Sequence, residues 1–440
     1  MSPIELGLWS FPVIILLVFL RLPIALAMLL VGFGGTWLVM GTPLVMINQF
    51  KTLIFGTYSS YSLSIIPLFL LMGQFATLSG MSASLFKAAG AFLGHRRGGV
   101  AMTAIGACAG FGAICGSSLA TAATMGQIAL PELRRHGYPG SLATGTLAAG
   151  GTLGILIPPS VILVIYAILT EQNIAKLFVA AMVPGLLAVA GYIAAIAVWV
   201  RVSPHAAIVL PRVSWPDRVR ILASIWPVVA IFLTVVGGIY LGIFTPTEAA
   251  AVGAAGTGVA AFASRQLNAV QMRQALLSTA AATAMIFFIV LGAGVYNSFL
   301  ALTQLPQVAA AWVTAQGYSP WLVLTAILVM YLIFGCIMDS MSMVLLTVPI
   351  IFPIMLGLDF GLAPEPFALW FGVLVLIVVE VGLITPPVGM NLFIINSMAR
   401  DIPMAETFRG AIPFALTDIV RVALLAAFPP ISLWLVNLIY

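Results

Sequence analysis

The sequence predicts an all-α polytopic membrane protein built as an inverted repeat, and three observations carry that prediction. Of its 440 residues, 62% are hydrophobic and only 7% charged, against roughly 25% charged in a soluble domain, so most of its surface must face lipid. Polar, helix-breaking residues interrupt the apolar segments where lipid tolerates none. They read FGAICGSS (Phe111 to Ser118) then GILIPPS (Gly154 to Ser160), and again FGCIMDSM (Phe334 to Met341) then GLITPPV (Gly382 to Val388). The two sets look like copies of one another. Phe111 and Phe334 lie 223 positions apart, as do Pro23 and Pro246, each of which opens a helix.

Charge excludes other classes. A pI of 9.3 and a formal net charge of +5 would suit nucleic acid only if the cations shared a face or a run. They sit instead in short loops between apolar segments, the positive-inside pattern. Cys108, Cys115 and Cys336 are too few, and too apolar in setting, for a disulfide framework or a metal site. Glu5 precedes the first apolar run and Arg21 follows it, so the N-terminus reads as a retained first span rather than a cleaved signal.

A span needs about 20 apolar residues. Ten are expected, near 4–20, 24–40, 61–80, 140–169, 177–200, 221–243, 247–264, 275–302, 366–399 and 412–438. Two further stretches, about 98–135 and about 319–357, are too long for one helix and carry Gly/Ser or Asp/Ser near their centres. Each is either two spans or one re-entrant hairpin. Charge decides the first: His95 to Arg97 precede it and Arg134 to His136 follow it. With both clusters cytoplasmic, the segment enters and leaves from one side, its tip near Gly116 to Ser118. With the N-terminus outside, Arg21, Lys87, Arg201, Arg212, Arg218, Arg220, Arg265, Arg273, Arg400 and Arg409 fall inside, Lys51 and Lys176 being the exceptions. The second hairpin then enters from outside, and both termini lie outside.

Residues 1–200 and 221–440 thus form two halves of opposite orientation, joined by a polar, Pro-containing cytoplasmic linker, 201–220. Each half holds three helices, a hairpin (about 98–135; about 319–357), a broken helix (140–169; 366–399) and a last helix.

Broken segments survive in a membrane only when buried in protein or lining a wet cavity. In matching places of two halves they point to a transporter's binding site. Pro158-Pro159 and Pro386-Pro387 each remove two donors, so upstream carbonyls become acceptors for a cation such as sodium. The tips add hydroxyls: Ser117 and Ser118 in one half, Ser340 beside Asp339 in the other. Helix N-termini just past each tip suit an anionic substrate group. The bland readings are that the prolines are kinks and that the glycines around Gly116 only let helices pack. Asp339, an acid in a membrane segment, is a functional candidate by default. It stands as a coupling-ion ligand, a proton carrier, a substrate contact, or a cap for the next half-helix. Glu380 lies two residues before Gly382 and supports the second break from behind. Thr245 to Glu248 reads as a helix-start cap. Asp418 and Arg421 read as a structural pair at the cytoplasmic end of the last helix.

An enzyme is not expected. His95, His136 and His205 all lie in basic loops, so Ser117 has no base. Asp339 has no acidic twin, because Gly116 occupies the matching position, and there is no phosphate-binding loop. A channel would form symmetric rings of one filter, whereas this chain holds two unequal hairpins.

GSSLATAATMGQIALPELRRHGYPGSLATGTLAAGGTLGILIPPS (Gly116 to Ser160), followed by LFVAAMVPG (Leu177 to Gly185), resembles the signature of the large membrane subunit of tripartite ATP-independent periplasmic (TRAP) transporters. VPIIFPI (Val348 to Ile354) and VEVGLITPPVGMNLF (Val379 to Phe393) are similar to the same family, and the likeness covers essentially the full chain. The resemblance implies an elevator-type transporter of the bacterial inner membrane, its termini periplasmic, in which hairpins and broken helices slide against a scaffold of the remaining spans. It implies a small four-helix membrane subunit as a separate polypeptide, a soluble periplasmic substrate-binding protein, and uptake of an organic acid driven by sodium (Na+). Family sodium sites carried onto this chain fall on Gly116, Ser117 and Ser118 with the Leu156 to Pro159 break, Leu156 and Pro158 included. In the second half they fall on Gly335, Asp339 and Ser340 with Thr385, Pro386 and Pro387. Substrate contacts are expected from Ser118, Asp339, Ser340 and Thr385. The competing readings are a stand-alone sodium/dicarboxylate symporter, a proton-coupled version with Asp339 as carrier, and an ion channel. Single cysteines placed beside Arg97 and Arg135 are expected to label from the same, cytoplasmic, side; labelling from opposite sides would show that 98–135 crosses the membrane.

Overall fold

The chain folds as helices alone among the residues that the computed structural model describes, 1–203 and 209–440. The first half runs through α1 (Pro3–Phe19), α2 (Ile24–Met40), α3 (Leu44–Tyr58), α4 (Ile65–Leu78) and α5 (Met81–Leu93). It continues with α6 (Gly99–Cys115), α7 (Ser118–Arg135), α8 (Gly140–Leu156), α9 (Val161–Leu169) and α10 (Ile174–Val202). After the linker come α11 (Trp215–Ser224), α12 (Trp226–Phe232), α13 (Gly238–Tyr240), α14 (Pro246–Ala263), α15 (Ala269–Thr303) and α16 (Leu305–Ala315). The chain ends with α17 (Pro320–Gly335), α18 (Ser340–Leu356), α19 (Pro364–Gly382), α20 (Met390–Met398), α21 (Met404–Ala427) and α22 (Pro430–Ile439).

Both long apolar stretches fold as two helices around a short tip: α6 and α7 in the first, α17 and α18 in the second. The segments expected to be broken helices are broken. A 45° bend separates α8 from α9, and residues 383–389 separate α19 from α20. Packing follows the same correspondence. α2 lies along α15 while α14 lies along α4, and these crossed pairs form one layer. In the other layer α7 packs on α20 and α18 packs on α9, so the second helix of each hairpin rests on the far half of the opposite broken helix.

Close backbone approach repeats as well. A Cβ added to Gly112 would stand 2.7 Å from the Gly154 Cα, and one on Gly382 would stand 2.6 Å from the Gly335 Cα. Gly112 and Gly335 are related by the 223-residue offset of the hairpins, Gly154 and Gly382 by the 228-residue offset of the proline pairs. Only glycine lets a hairpin helix meet a broken helix this closely.

Several elements depart from expectation. α3, α5, α11 and α16 are additional helices of 10 to 15 residues, too short or too polar for the span criterion. Ten spans are expected; among the described residues, five helices are long and apolar enough to cross a membrane, or up to seven if each bent pair counts once. The stretch 412–438, expected to be one span, is split at Phe428 because Pro429-Pro430 removes two donors. Asp418 and Arg421 do pair, at 2.8 Å, but in the buried middle of α21 rather than at an end. The Tyr192 hydroxyl donates to Asp418 and lies 2.9 Å from the Thr152 hydroxyl, which joins α8, α10 and α21 through one polar chain. Thr245 and Glu248 form the expected capping box. Lys176, an exception to the charge rule, is held 2.6 Å from Glu365. Arg134 makes the corresponding ion pair with Asp401. His205 and its neighbours in 204–208 lie outside the described residues.

The glycine contacts set a stability prediction. Gly154→Val and Gly382→Val each force a branched side chain into a backbone crossing, with an overpacking cost of about 1–3 kcal/mol or more. Both variants should melt several degrees below the parent in detergent, while Gly34→Val, at a half-buried position where an added Cβ meets nothing within 4 Å, should not.

A candidate ion and substrate site at the hairpin tips

The first tip forms because Gly116, at φ +64°, ends α6 in the left-handed region that glycine tolerates. Ser117 is extended and caps α7, its Oγ accepting from the Ala120 N–H at 3.4 Å. The second tip has the same start: Asp339 caps α18, its Oδ2 accepting from the Ser342 N–H at 2.9 Å. Asp339 therefore matches Ser117, one residue away from the Gly116 match read from the sequence. The next residues, Ser118 and Ser340, open their helices from equivalent positions.

Those two serines meet at one side chain. The Ser118 hydroxyl donates to Glu380 Oε2, and the Ser340 hydroxyl donates to Oε1 at 2.9 Å. Glu380 lies near the end of α19 and is 1% exposed. A carboxyl group this deep needs hydrogen-bond partners from the protein. Glu380 thus joins both tips directly rather than merely backing the second break.

The two breaks differ. At the first, Pro158 and Pro159 supply no N–H, and no described donor reaches the carbonyls of Gly154, Ile155 or Leu156. All three residues are buried. Thr121, on the first turn of α7, lies against Gly154, and its buried hydroxyl has no partner. The Pro159 carbonyl lies 3.0 Å from where a Gly116 Cβ would stand. Free buried acceptors are therefore concentrated where the first tip meets the first break, as the missing proline donors dictate.

At the second break the expectation of freed carbonyls fails. The Thr385 N–H donates to the Gly382 carbonyl, the Asn391 N–H to Leu383, and the Thr385 hydroxyl to Val381. The Gly389 N–H donates to the Cys336 carbonyl at 3.2 Å and ties this break to its tip. The turn after α19 folds back on itself and refills the acceptors. Exposure differs too: residues 151–160 are buried, whereas Thr385 is half-buried and Pro386 and Pro387 are exposed. Gly335 is buried against Val379 and Gly382.

Asn391 was not singled out in the sequence. Its Nδ2 donates to the Ala148 carbonyl at 3.2 Å, joining α20 to α8, and its buried Oδ1 has no partner. The available signal was a lone amide in the apolar turn directly after a proline break.

Removing one serine leaves Glu380 one donor and removing both leaves it none. Ser118→Ala and Ser340→Ala should each lower the melting temperature in detergent. The double variant should lose more than the sum of the singles; an additive loss would show that the serines do not share Glu380.

The chain as a whole is similar to known proteins. The family described as "Tripartite ATP-independent periplasmic transporter, DctM component" matches residues 11–431. The chain is 39% identical over 388 residues to the C4-dicarboxylate TRAP transporter large permease protein DctM of Pseudomonas aeruginosa, covering 87% of this chain and 88% of that one. It is 29% identical to the sialic acid TRAP transporter large permease protein SiaM of Vibrio cholerae, over 96% of each chain. In fold it is similar to the crystal structure of the Alcanivorax borkumensis YdaH transporter, with a TM-score of 0.68 at 16% identity over 97% of this chain and 98% of that one.

Proposed function

Because the chain belongs to the DctM family of tripartite ATP-independent periplasmic transporters, we propose that it is the permease of a sodium-driven uptake system for a small organic acid. A C4-dicarboxylate is the first candidate, by its likeness to the Pseudomonas relative. The observation that carries the ion assignment is the set of buried, donorless acceptors at the first break: the Gly154, Ile155 and Leu156 carbonyls and the Thr121 hydroxyl. Buried carbonyls are rarely left without a partner, and a sodium ion asks for several oxygens at once.

Glu380 adds polarity to this arrangement. Because Ser118 and Ser340 give their protons to the carboxylate, each offers lone pairs to its other neighbours. Such hydroxyls suit a cation or a donor and repel a substrate carboxylate. The serines thus belong to the ion side, with Gly116 and Ser117 forming the tip that closes over it. We assign substrate to the exposed second break, Thr385 to Pro387, next to the tip that Asp339 caps.

The two layers support an elevator motion. The crossed pairs α2–α15 and α4–α14 form the fixed scaffold, and the hairpins with the broken helices form the carrier. The first hairpin opens toward the cytoplasm and the second toward the periplasm, with both termini periplasmic. The small membrane subunit and the periplasmic binding protein complete the complex.

The test is uptake by the purified chain in proteoliposomes with those two partners, using labelled organic acids under an inward sodium gradient. Accumulation should require both sodium and the binding protein. Uptake without the binding protein would point to a stand-alone symporter, and uptake on a pH gradient alone would overturn sodium coupling. Asp339→Asn keeps an N-cap residue on α18, so it should leave assembly intact while reducing uptake at least tenfold. Full activity in that variant would remove Asp339 from the site.

A further inference from the structure

The linker does more than join two halves. The Leu210 N–H donates to the Gly94 carbonyl at 3.3 Å, and α11 packs on α5, which brings the linker onto the turn between α5 and α6. That turn carries Arg96 and Arg97, and the linker region carries Arg201, Arg212, Arg218 and Arg220, with Asp217 as the single acid in either segment. Asp217 accepts from Ser214 and lies 3.5 Å from Arg220. Among the described residues, the other five arginines have no carboxylate within 4 Å, and residues 204–208 contain no acid.

The cluster is built rather than scattered. The Arg218 guanidinium lies 5.1 Å from the Trp215 ring centre and 5.7 Å from that of Phe92. Its Nε is buried without a partner. Burial, then the charges of Arg212, Arg218 and Arg96, hold the His95 imidazole below the usual histidine range, so these groups converge on one place. Around them α11 has no buried residue and turns Trp215, Val219 and Leu222 outward; the chain then bends 55° into α12, which opens on the exposed Trp226. A short basic helix edged by exposed tryptophans is suited to the boundary between headgroups and acyl chains.

We propose that Arg96, Arg212 and Arg218, with His95, form a binding site for the phosphate of an acidic phospholipid, seated where the linker docks on the α5–α6 turn. A lipid is favoured over a free phosphate because the cations are ringed by apolar side chains that only a headgroup with its acyl chains would cover. The bound lipid joins the two halves at their only covalent connection.

The test uses the full chain in detergent, titrated with phosphatidylglycerol, phosphatidylethanolamine and inorganic phosphate, following the melting temperature and the lipids retained in native mass spectrometry. Phosphatidylglycerol should raise the parent's melting temperature and remain bound, and the other two should not. The Arg212→Gln/Arg218→Gln variant should weaken phosphatidylglycerol binding roughly thirtyfold. Arg265→Gln/Arg273→Gln, with the same loss of charge elsewhere, should bind as the parent does. A variant folded in phosphatidylethanolamine yet unchanged in its phosphatidylglycerol response would overturn the site. Equal weakening in both double variants would reduce it to general surface charge, and a response to inorganic phosphate would make the lipid assignment wrong.

Discussion

A carboxyl group enclosed by an apolar molecule must find its hydrogen-bond partners within the protein. For Glu380 the donors come from Ser118 and Ser340, opening residues of two helices more than two hundred positions apart. This requirement orders much of the central layer. It ties both hairpin tips to α19, and α19 can approach the second hairpin so closely only because Gly335 and Gly382 carry no side chains. α7 packs on α20 and α18 on α9 in the same layer.

The halves share a plan but divide the work. Both breaks lose donors to proline pairs, yet only the first leaves its carbonyls open. The second has Thr385 and Asn391, whose N–H groups fold back onto Gly382 and Leu383. The first has no such donors in place, because Ser160 caps α9 instead, its Oγ accepting from the Leu163 N–H. Equal helix breaks thus yield one buried cluster of acceptors and one exposed, internally satisfied turn.

The sequence exposes the tips and breaks because their signal is strong: glycine, serine, aspartate and proline in the middle of apolar runs. The capping box at Thr245 was legible for the same reason, since its residues act within one turn. The role of Glu380 was only half legible, because its partners are distant in sequence and no local pattern announces a shared acceptor. The refilled carbonyls of the second break depend on how a turn folds back, which composition does not encode. α3 and α11 were missed because Lys51 and Asn48 in the first, and Arg218 and Arg220 in the second, dilute the apolar runs. The register of Asp339 against Ser117 emerged only from the helix starts.

The two surface ion pairs carry a consequence for how such a chain holds together as one polypeptide. Arg134 and Lys176 both belong to the first half, and Asp401 and Glu365 both belong to the second. Each pair bridges the stretch before one broken helix and the stretch after the other. Two copies of the first half paired through the same two bridges would set cation against cation at both. Two copies of the second would set acid against acid. Such a division of charge favours the two halves as a one-to-one couple and disfavours either half paired with itself. Each exposed bridge contributes little to stability, but the pattern makes the halves complementary mates rather than interchangeable copies.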